Sequence, residues 1–109
     1  DAIGHRALRE LSSRAWMNSY IDRRMERVPT TKEELAEVVN KFKGHLIATT
    51  ACIGGELPSL ALMYTRARMI NDNNNAMFYY KQIDEFIRYC LDLFGEDFYI
   101  ECAPGTSAE

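Results

Sequence analysis

The segment Thr49-Thr50-Ala51-Cys52-Ile53-Gly54-Gly55-Glu56 holds the residue types best suited to chemistry. A short apolar run, His45 to Thr50, precedes it, and a helix start follows at Leu57-Pro58. Ligands of α/β folds gather where strands end at their carboxyl side, and two glycines there permit close backbone approach. A thiolate at that end suits a soft or borderline metal, so Cys52 is a candidate metal ligand. Glu56 lies near the amino terminus of the following helix, where a negative charge is favoured. The competing reading makes Cys52 a small buried hydrophobe and Gly54-Gly55 a plain turn.

Few other residues invite a catalytic reading. There is no phosphate-binding glycine loop, no Gly-x-Ser-x-Gly elbow and no His-Glu-x-x-His pair. His5 reads as a solvated residue at a helix start and His45 as a packing or edge residue of a strand. Cys90 falls on a helical apolar stripe, and Cys102 carries no functional case. The acid pairs Glu33-Glu34, Asp84-Glu85 and Glu96-Asp97 are accounted for by helix caps and solvated faces. No catalytic residue is assigned.

Apolar periodicity gives the elements that must position these groups. Ile3, Ala7, Leu8, Leu11, Ala15 and Trp16 form one stripe of a helix over 4–22, broken near Asn18. Pro29 ends any helical tendency, and residues 27–30 read as a connector. Thr31 with Glu34 three residues on is a capping box, so a helix is predicted from Lys32 to about Phe42, with Gly44 to stop it. Strands are expected over 45–50 and 97–102, and a helix over 57–69. Residues 70–75 form a polar surface turn. Ala76, Tyr80, Ile83, Ile87, Cys90 and Phe94 mark a long helix ended by Gly95. Residues 103–106 read as a loop. Two strands joined by helices imply a parallel pair with a right-handed crossover. Two strands alone make no stable sheet of that kind, so the chain reads as a slice of a larger α/β fold.

The chain has 109 residues, 47% hydrophobic and 27% charged, with a net charge of -3. That is the size and make-up of one small globular domain. No run approaches the ~18 apolar residues of a membrane span, and the start, which lacks Met, has no signal-peptide pattern. Three widely spaced cysteines fit neither a disulfide framework nor a zinc ribbon, which points to reduced thiols in the cytoplasm. Residues 1–27 carry six Arg (Arg6, Arg9, Arg14, Arg23, Arg24, Arg27) against four acids, whereas 71–109 carry Lys81 and Arg88 against eight acids. The arginines read as a solvated helix face, because no aromatic interleaving of the kind that stacks bases accompanies them.

Three motifs resemble one family in the same order. Gly4-His5-Arg6-Ala7-Leu8-Arg9-Glu10-Leu11-Ser12-Ser13 is similar to a helix of the polymerase-and-histidinol-phosphatase (PHP) domain of bacterial DNA polymerase III alpha subunits. The family pattern there is Gly-aromatic-x-Asn-Leu-x-x-Leu-x-Ser; His5 replaces the aromatic residue and Ala7 the Asn. His45 to Leu57 resembles the pattern Gly-Leu-Ile-x-Leu-Ser-Gly-Cys-Leu-Gly-Gly-Glu. Phe94-Gly95-Glu96-Asp97-Phe98-Tyr99-Ile100-Glu101 resembles Phe-Gly-x-Asp-x-Phe-Tyr-Leu-Glu.

The resemblance implies a helix-rich central fragment, residues 1–109, of a distorted (β/α)7 barrel, with two short parallel strands. It implies divalent metal ions (zinc, manganese or magnesium) in the complete parent domain and none in the fragment. Cys52 matches the one cysteine ligand; most ligands fall outside this chain. The implied function is membership in the catalytic subunit of a replicative polymerase, with a metal-dependent phosphoesterase-like site. The implied partners are the rest of the subunit, DNA, dNTPs and other replisome subunits, with no membrane. A metal-free structural or docking module and a piece of a stand-alone PHP phosphoesterase are the alternatives. The isolated chain is expected to lack polymerase and nuclease activity, to bind metal weakly, and to self-associate or rearrange its helices.

Overall fold

Asp1 opens the chain as a helix cap, its carboxylate accepting from the Gly4 N–H at 2.7 Å. In the computed structural model, which describes residues 1–52 and 54–102, the chain divides into two compact units, Asp1–Leu46 and Ile47 onward. The expected loop 103–106 lies outside the described residues.

In the first unit, α1 (Ala2–Met17) packs against α2 (Lys32–Lys41). The capping box is present: Thr31 Oγ1 accepts from the Glu34 N–H at 3.1 Å, and the Glu34 carboxylate accepts from the Thr31 N–H at 3.4 Å. Ala7, Val38 and Phe42 form the core, with Leu11 and Leu46 packed on it. Ile3, Leu8 and Trp16 of the expected stripe are about half exposed. The segment after α2 comes close to α1 at Gly4, which has no side chain: a Cβ there would collide with the His45 carbonyl oxygen.

A charged network ties the same helices along their rim. Glu10 accepts from Lys41 at 3.1 Å, and Arg14 bridges Glu10 at 3.3 Å and Glu37 at 2.7 Å. The Lys41 hydrogen bond holds the Glu10 carboxyl below its usual range, and the Glu37 hydrogen bond raises Arg14.

The first helix ends at Met17, five residues short of the expected end, and a hairpin follows instead. The strands β1 (Tyr20–Asp22) and β2 (Met25–Arg27) pair antiparallel, Tyr20 opposite Arg27 and Asp22 opposite Met25. Arg23 and Arg24 make the two-residue turn at φ +52° and +67°. Asn-Gly is the usual sequence for such a turn. Arg-Arg carries no such signal, so the sequence did not announce the hairpin.

The second unit holds β3 (Ala48–Thr49), α3 (Glu56–Met69), α4 (Asn73–Phe94) and β4 (Phe98–Tyr99). The two strands are parallel as expected, with Ala48 beside Phe98 and Thr49 beside Tyr99. They are shorter than the predicted 45–50 and 97–102, so His45 lies before the strand. α3 and α4 pack on each other. Along α4, Ala76 and Cys90 are buried, Ile83, Ile87 and Phe94 half-buried and Tyr80 exposed. The expected stripe thus faces inward for most of its length.

The polar turn is tighter than predicted, because Asn73–Asn75 are helical. Asp72 caps them, its carboxylate accepting from the Asn75 N–H at 3.2 Å and the Asn75 amide at 2.6 Å. Asn71, at φ +57°, reverses the chain after α3. Among the described residues no helix is long and apolar enough to cross a membrane. The chain is therefore a helix-rich α/β assembly with a few short strands.

Candidate functional site

The strand β3 and the turn after it are fixed by a ladder that continues past the strands themselves. The Thr50 N–H donates to the Tyr99 carbonyl at 3.1 Å. The Glu101 N–H donates to Thr50 Oγ1 at 3.0 Å, which satisfies the buried Thr50 hydroxyl. Thr49 Oγ1 donates to the Glu101 carboxylate at 3.2 Å. Glu101 thus ties the carboxyl ends of both strands together, a role that sequence reasoning missed. These partners lie 51 and 52 residues apart, and no local pattern marks such pairs.

From Thr50 the chain turns sharply. Ala51 takes φ +61°, a left-handed conformation that costs an L-residue roughly 1–2 kcal/mol. The resembling family pattern carries glycine at this position. Cys52 follows at the apex, exposed, and its carbonyl accepts from the Gly55 N–H at 2.8 Å. Gly55 is the N-cap of α3, which starts one residue earlier than expected, so that Glu56 is in its first turn. A Cβ on Gly55 would lie 2.6 Å from the Thr50 carbonyl oxygen and 3.1 Å from that of Cys52. The second glycine is therefore required by the close approach of the turn to the helix start. Ile53 lies outside the described residues.

Ala51→Gly should stabilise the chain by about 0.5–1 kcal/mol. Relief of the left-handed strain is partly offset by the added freedom of the unfolded chain. The midpoint of urea unfolding followed by circular dichroism checks this.

The other sequence candidates are not brought to Cys52. The His45 Nδ1 lies 2.8 Å from the Asp1 carboxylate, so His45 and Asp1 close the first unit on itself. His5 is exposed on α1, Cys90 is buried in α4, and Cys102 is exposed beyond β4. Among the described residues no three His, Cys, Asp or Glu side chains stand close enough to hold a metal ion. The residues present therefore do not by themselves fit a metal: Cys52 offers one exposed sulfur, and a tight transition-metal site takes three or four ligands.

A family model described as "PHP domain" matches residues 1–104. The chain belongs to the PHP domain family. Two relatives are each 43% identical over 110 residues: the "Probable DNA polymerase YorL" of Bacillus subtilis (strain 168) and the "DNA-directed DNA polymerase" of Bacillus phage SPbeta. All of this PHP chain is covered in both cases, but it spans only 8% of the length of either relative. No solved structure matches the chain.

Proposed function

We propose that this PHP chain is part of a DNA-directed DNA polymerase resembling the bacterial polymerase III alpha subunit and acting in the cytoplasm. The observation that carries the reading is the match along the whole chain to segments of two proteins named as DNA polymerases. Its partners would be the rest of that polypeptide, DNA, dNTPs and other subunits of the replication machinery. Nucleotidyl transfer would fall to other parts of that polypeptide. The chain's contribution would be to a second site, a phosphoesterase-like centre holding divalent metal.

In that centre Cys52 supplies one ligand, and the remaining donors come from other parts of the longer polypeptide. The exposed sulfur at the carboxyl end of β3 supports this role, as does the bracing of that strand end by Thr50 and Glu101. Bound metal would activate water and offset phosphate charge.

Metal content decides between this reading and a metal-free scaffold. The complete polymerase and its Cys52→Ala variant should be purified and measured by elemental analysis. The variant is expected to lose metal, with polymerase activity retained. A metal-containing wild type with an equally loaded variant would make Cys52 a structural residue. A metal-free wild type would favour the scaffold.

A further inference from the structure

Two grooves flank the turn between α3 and α4, and each joins an arginine from the end of α3 to a tyrosine of α4. The larger, about 380 Å³, is lined by Tyr64, Arg68, Asn73, Ala76, Met77 and Tyr80. The smaller, about 200 Å³, is lined by Arg66, Tyr79 and Asp72 among others. In the larger groove the Tyr64 and Tyr80 ring centres are 6.2 Å apart and tilted by 52°. The Arg68 guanidinium lies 5.9 Å from the Tyr64 ring centre and donates to the Tyr64 hydroxyl at 3.0 Å. Its partner is thus a neutral phenol, which positions the cation without neutralising it.

Exposed aromatic and apolar surface, from Tyr80 and Met77, therefore stands next to a preset cation. A planar base takes the aromatic surface, and a phosphate takes the guanidinium, whose fork matches phosphate oxygens. The groove is at the small end of ligand sites, which run about 300–1,000 Å³, so it suits one nucleotide unit. A single aromatic acid would need only one such station. A second arginine–tyrosine pair across the turn points to a polymer with repeating base and phosphate.

We propose that the α3–α4 turn binds single-stranded nucleic acid, with a base on Tyr80 and Met77 and its phosphate on Arg68. Sequence reading found no base-stacking pattern of aromatics among the arginines of 1–27, where only Trp16 and Tyr20 occur. The interleaving lies elsewhere, where two helices bring Arg66 and Arg68 beside Tyr79, Tyr64 and Tyr80. This inference rests on those residues and not on the metal role of Cys52.

Fluorescence anisotropy of the full chain with a labelled oligothymidylate of about twenty nucleotides tests it. Tyr80→Leu is expected to weaken binding by about 5-fold or more, the usual loss of a stacking ring. Arg68→Gln should weaken it too and lower the slope of log affinity against log salt by about one. Arg88→Gln, on the outer face of α4 where Arg88 pairs with Asp84 at 2.8 Å, should bind as the wild type does. Melting curves of all variants check that the fold is intact. No binding by the wild type would overturn the proposal, and so would unchanged affinity in both groove variants. Competition by inorganic polyphosphate as strong as by unlabelled oligonucleotide would show charge attraction without stacking, and would overturn it as well.

Discussion

Gly55→Ala should destabilise the chain by about 1–3 kcal/mol, the usual cost of forcing extra volume into a filled space. The backbone of Gly55, at φ -71° and ψ 169°, is open to alanine. The penalty comes from what the new methyl group meets: the Thr50 carbonyl oxygen at 2.6 Å and the Cys52 carbonyl oxygen at 3.1 Å. Both belong to backbone, so neither can swing aside. The turn must open, and the 2.8 Å bond from the Gly55 N–H to Cys52 is the first to be lost. Gly54→Ala is the matched control. Its Cβ would meet only the Cys52 sulfur, at 3.8 Å, so a change within about 0.5 kcal/mol is expected. Urea unfolding measures both. In a Cys102→Ser background, the rate of Cys52 labelling by a thiol reagent reports whether the apex has moved. Equal stability of the two variants would show that the turn yields without cost.

Phe42→Ala should cost more, about 3–5 kcal/mol. Phe42 is 8% exposed and shares the core of the first unit with Ala7 and Val38, both at 0%. No other large side chain belongs to that buried cluster. Small units have thin margins, because a short chain buries little surface for the backbone it must order. Loss of this ring is therefore expected to melt α1 and α2 together. Trp16 is the only tryptophan and sits on α1, so its fluorescence follows this unit while circular dichroism follows all helices. Leu8→Ala, at a position 56% exposed, should stay within about 1 kcal/mol. A Phe42→Ala chain that unfolds with the wild-type midpoint would contradict the packing described.

The helices were legible where a cap and a period coincide. Thr31 and Glu34 fix the start of α2, and the four- and three-residue steps from Ala76 to Phe94 fix most of α4. The parallel pairing of the strands followed from their order and the helices between them. The hairpin at Tyr20–Arg27 did not, because Arg23 and Arg24 occupy a turn in which neither has a conformational preference to reveal it. The three asparagines after Asp72 read as loop by propensity, yet the Asp72 cap and packing of α4 on α3 draw them into helix. For the candidate site, Cys52 at a strand's carboxyl end and a helix start within one residue of Glu56 were readable from order alone. The Glu101 link to Thr49 and Thr50 was not, since tertiary folding alone brings those residues together.

The two-residue ladder between β3 and β4 has a kinetic side. Its hydrogen bonds join residues about fifty apart, whereas the α3–α4 pair needs only a tight reversal at Asn71 and Asp72. Closing a long flexible loop carries an entropy cost that grows with its length, and contacts distant in sequence slow folding. Once α3 and α4 have docked as a hairpin, the span between the strands is no longer flexible, and the remaining closure is short. Helix pairing is thus expected to come first and strand registration last. The Cys52 apex hangs on that final step, so it gains its shape late in folding and is among the first places to open when the chain loosens.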